Sequence, residues 1–302
     1  MQKIKCGVVG VGYLGNFHAQ KYGNLPNADL IAICDTDEVR AKEVANTYKV
    51  PFFTDYNDLI GKVDAVSIVT ITTSHYAIAK KFLENKIHVF VEKPITTTIA
   101  EADELIKIAK ANHLIFQVGH IERFNPVFNV IKNKIRKPTL VECIRVAPYK
   151  ARCNDVSVVL DLMIHDIDLV YSLIQSPIRN IVAHGGKILS PTTDVIHAQI
   201  EFENGANALL TASRLDPVTQ RRINVLEKDC YYTGDLGEKT LKIIKNNGNH
   251  EELTLEKNDA LYEEIASFLD AIENKKNPIV SGNDGRIALE TALLIEQKTK
   301  IL

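Results

Sequence analysis

What this sequence has little of is cysteine, net charge and long apolar runs. Five cysteines are spread over 302 residues, Cys6, Cys34, Cys143, Cys153 and Cys230. They are odd in number and form no CxxC pair, so neither a disulfide framework nor a zinc ribbon is suggested. Cys6 and Cys34 sit in apolar runs and read as small core residues. No apolar run approaches the ~18 residues of a membrane span. No charged-then-apolar leader precedes the first strand, Ile4–Val9, so a cytoplasmic protein is expected. With 36 Lys and Arg against 38 Asp and Glu, the net charge of -2 offers no general attraction to nucleic acid or to anionic membranes. A local basic patch still suits a small anionic substrate.

What is present is an ordinary globular composition, 45% hydrophobic and 25% charged. A chain of 302 residues suggests two domains, since single cores stop growing well below that length. The first third alternates strand-like runs (Ile4–Val9, Leu30–Cys34, Val63–Thr70, Ile87–Val91, Ile115–Val118) with helical spacing at Gly15–Leu25, Asp37–Tyr48, His75–Asn85 and Ile99–Asn112. That alternation predicts an α/β fold with a Rossmann doubly wound parallel sheet over residues 1–119. Residues 120–284 are expected to form an α+β substrate and oligomerisation domain. Asn125-Pro126 opens a helix there, and a longer one follows from about Val158 to Leu173. Strand patterns at Asn180–Lys187, Val195–Glu203, Ala206–Arg214, Arg222–Leu226, Cys230–Thr233 and Thr240–Lys245 suggest an open, largely antiparallel sheet with helices on one face. Two helices close the chain, at about Ala260–Glu273 and Gly285–Lys300. The final segment, about 285–302, is expected to return to the first domain.

Gly10-Val11-Gly12-Tyr13-Leu14-Gly15 follows the first strand directly and opens a helix. In a dinucleotide-binding turn, Gly10 makes the tight bend, Gly12 lets the backbone approach a pyrophosphate, and Gly15 permits close helix packing. The helix N-terminus, with Tyr13 and Leu14, offers N–H groups to phosphates. Asp35 lies twenty residues after Gly15, at the end of the second strand, where a carboxylate accepts hydrogen bonds from ribose hydroxyls. Asp37 adds negative charge and no cation follows until Arg40, which favours NAD over NADP. The competing reading makes Asp35 a helix cap in a fold without cofactor.

Glu92-Lys93-Pro94 ends another strand, so Lys93 emerges at a ligand-binding sheet edge, able to stabilise an alkoxide as it forms. Thr70 and His75, in Thr70-Ile71-Thr72-Thr73-Ser74-His75, are candidates for the cofactor side of the cleft together with Glu92, with Ser74 or Thr73 as helix cap. On an α-helix Asp161 shares a face with His165, and so does Asp168; a neighbouring carboxylate would orient His165 as a general base. A satisfied core histidine remains open, and so does a metal ligand, although no further His/Cys cluster completes a shell. Arg123 suits a substrate phosphate or carboxylate, with a structural salt bridge as the alternative. Tyr149, Arg152 and Asn154, with Lys150, are candidates for substrate contacts or a solvated loop.

These motifs resemble the glucose-fructose oxidoreductase, inositol dehydrogenase and rhizopine catabolism (Gfo/Idh/MocA) family over nearly the whole chain. The resemblance rests on the glycine loop, Asp35, Glu92-Lys93-Pro94, Asp161-x-x-x-His165 and Ser281-Gly282-Asn283-Asp284-Gly285-Arg286. It implies a nicotinamide cofactor, Lys93 and His165 as a catalytic pair, Asp161 holding substrate, and homodimers or homotetramers built on the second sheet. Ile71 replaces a common proline, and Met163 replaces a glycine. Within the family, Val118–Pro126 and Val158–Asp168 are similar to the branch that oxidises C3 of UDP-N-acetylglucosamine to a 3-keto sugar nucleotide for lipid A synthesis. A free sugar or polyol dehydrogenase and a catalytically silent NAD-binding sensor are the alternatives.

Overall fold

Short apolar runs punctuated by glycine and polar turns build the first sheet. The computed structural model describes residues 3–150 and 156–301. Its elements run β1 (Ile4–Val9), α1 (Tyr13–Asn24), β2 (Ala28–Cys34), α2 (Glu38–Tyr48), β3 (Phe52–Phe53), β4 (Ala65–Ile68), α3 (Thr72–Glu84), β5 (His88–Glu92), α4 (Ile99–Ala111) and β6 (Phe116–Gly119). The sheet order is β3-β2-β1-β4-β5-β6, with every pair parallel. All four residues of β4 and of β6 are buried, as a parallel sheet covered on both faces requires. The order reverses between β1 and β4, which makes the carboxyl ends of β1, β2, β4 and β5 the ligand edge.

The second unit opens where the sequence puts its helix start. Asn125 Oδ1 accepts the Val127 N–H at 3.1 Å and Pro126 begins α5 (Pro126–Lys134). Then come β7 (Leu140–Val146), α6 (Ile164–Ile174), β8 (Ile178–Gly186), β9 (Val195–Phe202), β10 (Asn207–Ser213), β11 (Gln220–Leu226), β12 (Cys230–Asp235), β13 (Thr240–Lys245) and β14 (His250–Thr254). The chain closes with α7 (Ala260–Glu273), α8 (Gly282–Lys298) and β15 (Thr299–Ile301).

The second sheet is ordered β14-β13-β12-β11-β7-β10-β9-β8-β15. It is mixed, because β7 runs parallel to β10, and β15 parallel to β8; its other pairs are antiparallel, as expected. One face packs Ile181, Ile200, Leu210 and Val225 against Phe128, Ile167 and Ile295 of the helices. The other face leaves Val182, Leu209 and Leu226 exposed. Among the described residues no helix is long and apolar enough to cross a membrane.

The chain divides into Met1–Ile121 with Asp259–Arg286, and Glu122–Asn258 with Ile287–Leu302. The return to the first unit thus differs from the expected 285–302. It is α7 that supplies Ile265, Phe268 and Leu269 to the core of Ile4, Val8 and Phe90. Ala288, Ala292 and Ile295 of α8 bury themselves in the second core instead. Only the start of α8 stays with the first unit, where Gly285 backs onto Val118 and Arg286 Nε meets Asp103 Oδ1 at 2.6 Å.

Candidate functional site

The glycine loop has the geometry that its spacing predicts. Gly10 sits at φ +84°, and a Cβ there would lie 2.6 Å from the Val69 carbonyl oxygen. Gly15 faces the Gly10 carbonyl so closely that no side chain fits between them. A Cβ on Gly12, by contrast, would meet nothing within 4 Å. That open ground lies at the N-cap of α1, where no side chain caps the helix. Backbone donors, a positive dipole end and free volume together fit a dinucleotide pyrophosphate.

Asp35 braces this loop as well as facing it. Its Oδ2 accepts the Val11 N–H at 2.8 Å and its Oδ1 the Asp37 N–H at 2.9 Å. The helix cap is Asp37, which accepts the Arg40 N–H at 3.1 Å. Carboxylate oxygens keep further lone pairs for ribose hydroxyls after these bonds. Arg40, the first cation after Asp35, turns its guanidinium back, 3.6 Å from Asp35 and 3.1 Å from Asp37. The patch therefore carries two negative charges and one positive.

Along the same edge, α3 starts at Thr72 with Ile71 as N-cap and no side-chain cap. This corrects the expected capping by Ser74 or Thr73; Ser74 Oγ instead lies 2.8 Å from both Thr70 Oγ1 and the Ile71 carbonyl, with one proton to share between them. His75 is buried, with Nδ1 2.9 Å from the Pro94 carbonyl and Nε2 3.1 Å from that of Thr70. Burial holds its pKa below the usual histidine range, so the neutral ring has one N–H for two carbonyls. Both ring nitrogens face the main chain, tying the loop after β4 to the loop after β5. Lys93 follows β5, and its N–H donates to Glu92 Oε2 at 3.2 Å. Glu92 is one of the expected cofactor contacts, but Oε1 lies 3.1 Å from His18 Nε2. The structure thus gathers Gly10, Gly12, Gly15, Asp35, Thr70, His75, Glu92 and Lys93 at one sheet edge.

In the second unit the Asp161–His165 helix departs from the expected regular α-helix. Val159–Met163 form a π turn, in which the Ile164 N–H reaches back five residues to the Val159 carbonyl. The wide turn keeps Val159, Met163, Ile167 and Val170 buried along one face; such bulges recur at functional sites. His165 lies in the first turn of α6. Asp168, read as a possible partner for His165, gives both oxygens to Arg123, at 2.6 and 2.8 Å. Of the two readings of Arg123, this pairing supplies the salt bridge. Asp166 is held by Arg145 Nε and Nη2, and Arg145 Nη1 reaches Glu122 Oε1 at 2.8 Å. Burial raises the Glu122 carboxyl, but the Arg145 charge and hydrogen bond outweigh it and hold the group below its usual range. Two buried guanidinium–carboxylate pairs therefore fasten the start of α6, at Asp166 beside His165 and at Asp168 two residues further on. Tyr149 lies half-buried beyond β7; Arg152 and Asn154 lie outside the described residues.

Sequence reasoning missed His18, Glu122 and Arg145. His18 follows the glycine loop by three residues, within a helix that buries Ala19 and Tyr22; a histidine on that apolar face was the available signal. Arg145 lies on β7, a strand that was not read because an inward-facing arginine breaks its apolar alternation.

Residues 4–120 match the oxidoreductase family with an NAD-binding Rossmann fold, GFO_IDH_MocA, and residues 147–229 match the C-terminal domain of that family. The UDP-N-acetylglucosamine 3-dehydrogenase of Acidithiobacillus ferrooxidans is 35% identical, covering 98% of this chain and 97% of its own. The scyllo-inositol 2-dehydrogenase (NAD(+)) of Bacillus subtilis is 28% identical over 96% of this chain and 92% of its own. The solved structure of the Acidithiobacillus enzyme superposes with a TM-score of 0.95 at 36% identity, covering 99% of this chain and 98% of that one. With the glycine loop and its acidic partner in place, the chain belongs to the Gfo/Idh/MocA family of NAD-binding oxidoreductases.

Proposed function

We propose that the protein oxidises a hydroxyl of a nucleotide sugar, C3 of UDP-N-acetylglucosamine, to the 3-keto sugar nucleotide. The observation that carries this reading is 35% identity to an enzyme of that name across almost the whole of both chains. NAD, when bound, supplies the hydride acceptor. Gly10, Gly12, Gly15 and the start of α1 would hold its pyrophosphate, and Asp35 its adenosine ribose. His165 takes the proton of the reacting hydroxyl, and the Lys93 ammonium stabilises the oxygen while negative charge builds on it. Asp161 holds the substrate. Arg123 and Arg145 act indirectly, by keeping the start of α6 in place. Removing a donor to a developing oxyanion costs about 100- to 1000-fold in turnover, so Lys93→Ala is expected to lose that much.

The test is NADH formation on incubating the protein with NAD and, separately, UDP-N-acetylglucosamine, free N-acetylglucosamine and the inositols. Turnover confined to the UDP sugar is expected. Faster turnover of an inositol, the second reading that the Bacillus relative favours, would overturn the assignment, and no NADH with any compound would revive the silent sensor. The 3-keto product is a carbonyl suited to amination, so the proposal includes a place ahead of an amine-transferring step in lipid A synthesis, in the cytoplasm. The exposed Val182, Leu209 and Leu226 of the second sheet support a homodimer or homotetramer joined through that face, to be read by light scattering.

A further inference from the structure

A buried polar chain runs behind Lys93 and has no part in the roles given above. His18, on α1, has no exposed surface. Its Nε2 lies 3.1 Å from Glu92 Oε1 and its Nδ1 3.2 Å from Ser67 Oγ. Ser67 Oγ is in turn 2.8 Å from the Tyr22 hydroxyl. Glu92 Oε2 accepts the main-chain N–H of Lys93.

With a neutral imidazole at His18, hydrogen-bond accounting gives this chain one direction. An ionised carboxylate only accepts, so His18 donates from Nε2 to Glu92; the Ser67 hydroxyl then donates to Nδ1, and Tyr22 donates to Ser67. Every member is satisfied with a neutral imidazole, and the chain ends on Glu92. Burial pushes the Glu92 carboxyl up, but His18 together with the charge and N–H of Lys93 overcomes that and holds it below the ordinary range. The carboxylate also packs closely against the neighbouring strand. Gly119 faces Glu92 from the neighbouring strand, and a Cβ there would lie 2.9 Å from the carboxylate carbon and from both oxygens. The Phe90 ring meets the imidazole edge-on at 5.2 Å.

We infer that His18 is a positioning residue for Lys93, fixing the Glu92 carboxylate that holds the lysine's backbone in its place at the sheet edge. This rests on the reading of Lys93 as the group that stabilises the reacting oxygen. Because His18 is fully buried, with Ser67 and Glu92 as its ring partners, its effect is expected to pass through Glu92 to Lys93. Small displacements of a catalytic group cost on the order of 100-fold, and a two-bond linkage transmits part of that.

The experiment measures NADH formation with UDP-N-acetylglucosamine, NAD affinity by calorimetry, and thermal unfolding. His18→Leu is expected to lower kcat by about 10- to 100-fold, with NAD affinity and the KM for the sugar unchanged. His18→Gln, whose amide returns a donor to Glu92, recovers most of the loss. Gly119→Ala, which crowds the carboxylate without removing any polar group, reproduces it and serves if His18→Leu does not fold. In a Lys93→Ala background neither substitution lowers turnover further. Equal losses in both backgrounds, or no recovery by His18→Gln, would overturn this inference alone. Normal turnover in Lys93→Ala by itself would overturn the reading of Lys93 and this inference with it.

Discussion

Arg123 grips Asp168 through two parallel hydrogen bonds, Nε to Oδ2 at 2.6 Å and Nη2 to Oδ1 at 2.8 Å, with both side chains buried. Removing one partner of a buried pair leaves an uncompensated charge, at a cost of about 3–5 kcal/mol. Arg123→Met should lower the urea midpoint accordingly, and Arg123→Lys, which keeps the charge but not the planar fork, should recover only part of it. An unchanged midpoint in Arg123→Met would show that the pair contributes nothing to the fold.

Two of the loop glycines should separate binding from stability. Gly12→Ala is expected to leave the unfolding temperature alone, since its Cβ meets nothing. NAD affinity should nevertheless fall by about tenfold or more, the equivalent of one lost charge-assisted hydrogen bond. Gly10→Ala forces an L-residue to φ +84° against the Val69 carbonyl and should destabilise by about 1–3 kcal/mol. A Gly12→Ala protein with native NAD affinity would remove the pyrophosphate from this loop.

Cofactor choice is expected to turn on Asp35 and the arginine folded back over it. Asp35→Ser removes the proposed ribose acceptor and should release Arg40, 3.6 Å away, to meet a 2'-phosphate. The NADP-to-NAD ratio of kcat/KM should rise by about tenfold or more, as one hydrogen bond to a charged group is lost and another gained. Arg40→Ala in the same background should cancel the gain on the NADP side. No change of ratio in either protein would exclude Asp35 from the adenosine ribose.

Asp194 predicts an acid-side dependence of stability. Burial raises its carboxyl, but the hydroxyl of Ser190 and the N–H groups of Ile188, Leu189 and Ser190 lower it further, to about 2. The folded value lies below the unfolded one, so the stabilisation is complete above the unfolded pKa and is lost as pH falls through the folded pKa. The window runs from about pH 5 to pH 2, and the effect is roughly 2 kcal/mol. Urea midpoints measured across that window should fall in the native protein. Asp194→Asn should be less stable at neutral pH and nearly flat over the same range; an equal slope in both proteins would assign the acid sensitivity to other carboxylates.

Where a structural device is local, the sequence displays it. The loop at Gly10, Gly12 and Gly15, the cap at Asn125 and the strand ends at Asp35 and Glu92 each depend on neighbours within a few residues, and each appears where its pattern places it. Devices closed by distant partners were hidden. Arg145 and Glu122 acquire meaning only when β7 is laid beside β11 and α6, and Arg40 matters because its side chain turns back rather than outward. His18 needs Ser67 and Glu92, 49 and 74 residues further along, before it is more than a histidine on an apolar helix face. The π turn at Val159–Met163 has no sequence period of its own and reads as ordinary helix.

The first core is stitched from both ends of the chain, since Ile265, Phe268 and Leu269 sit among residues of β1 and β5. A ribosome that has made only the first 258 residues has therefore exported a sheet with a greasy slot still open beneath Phe90. The cofactor half is finished only after nearly all of the second half has been translated. Nascent chains stalled before α7 should need chaperone cover, and a nucleotide-binding fragment cut at residue 121 should be a poor folder unless the α7 segment is supplied in trans.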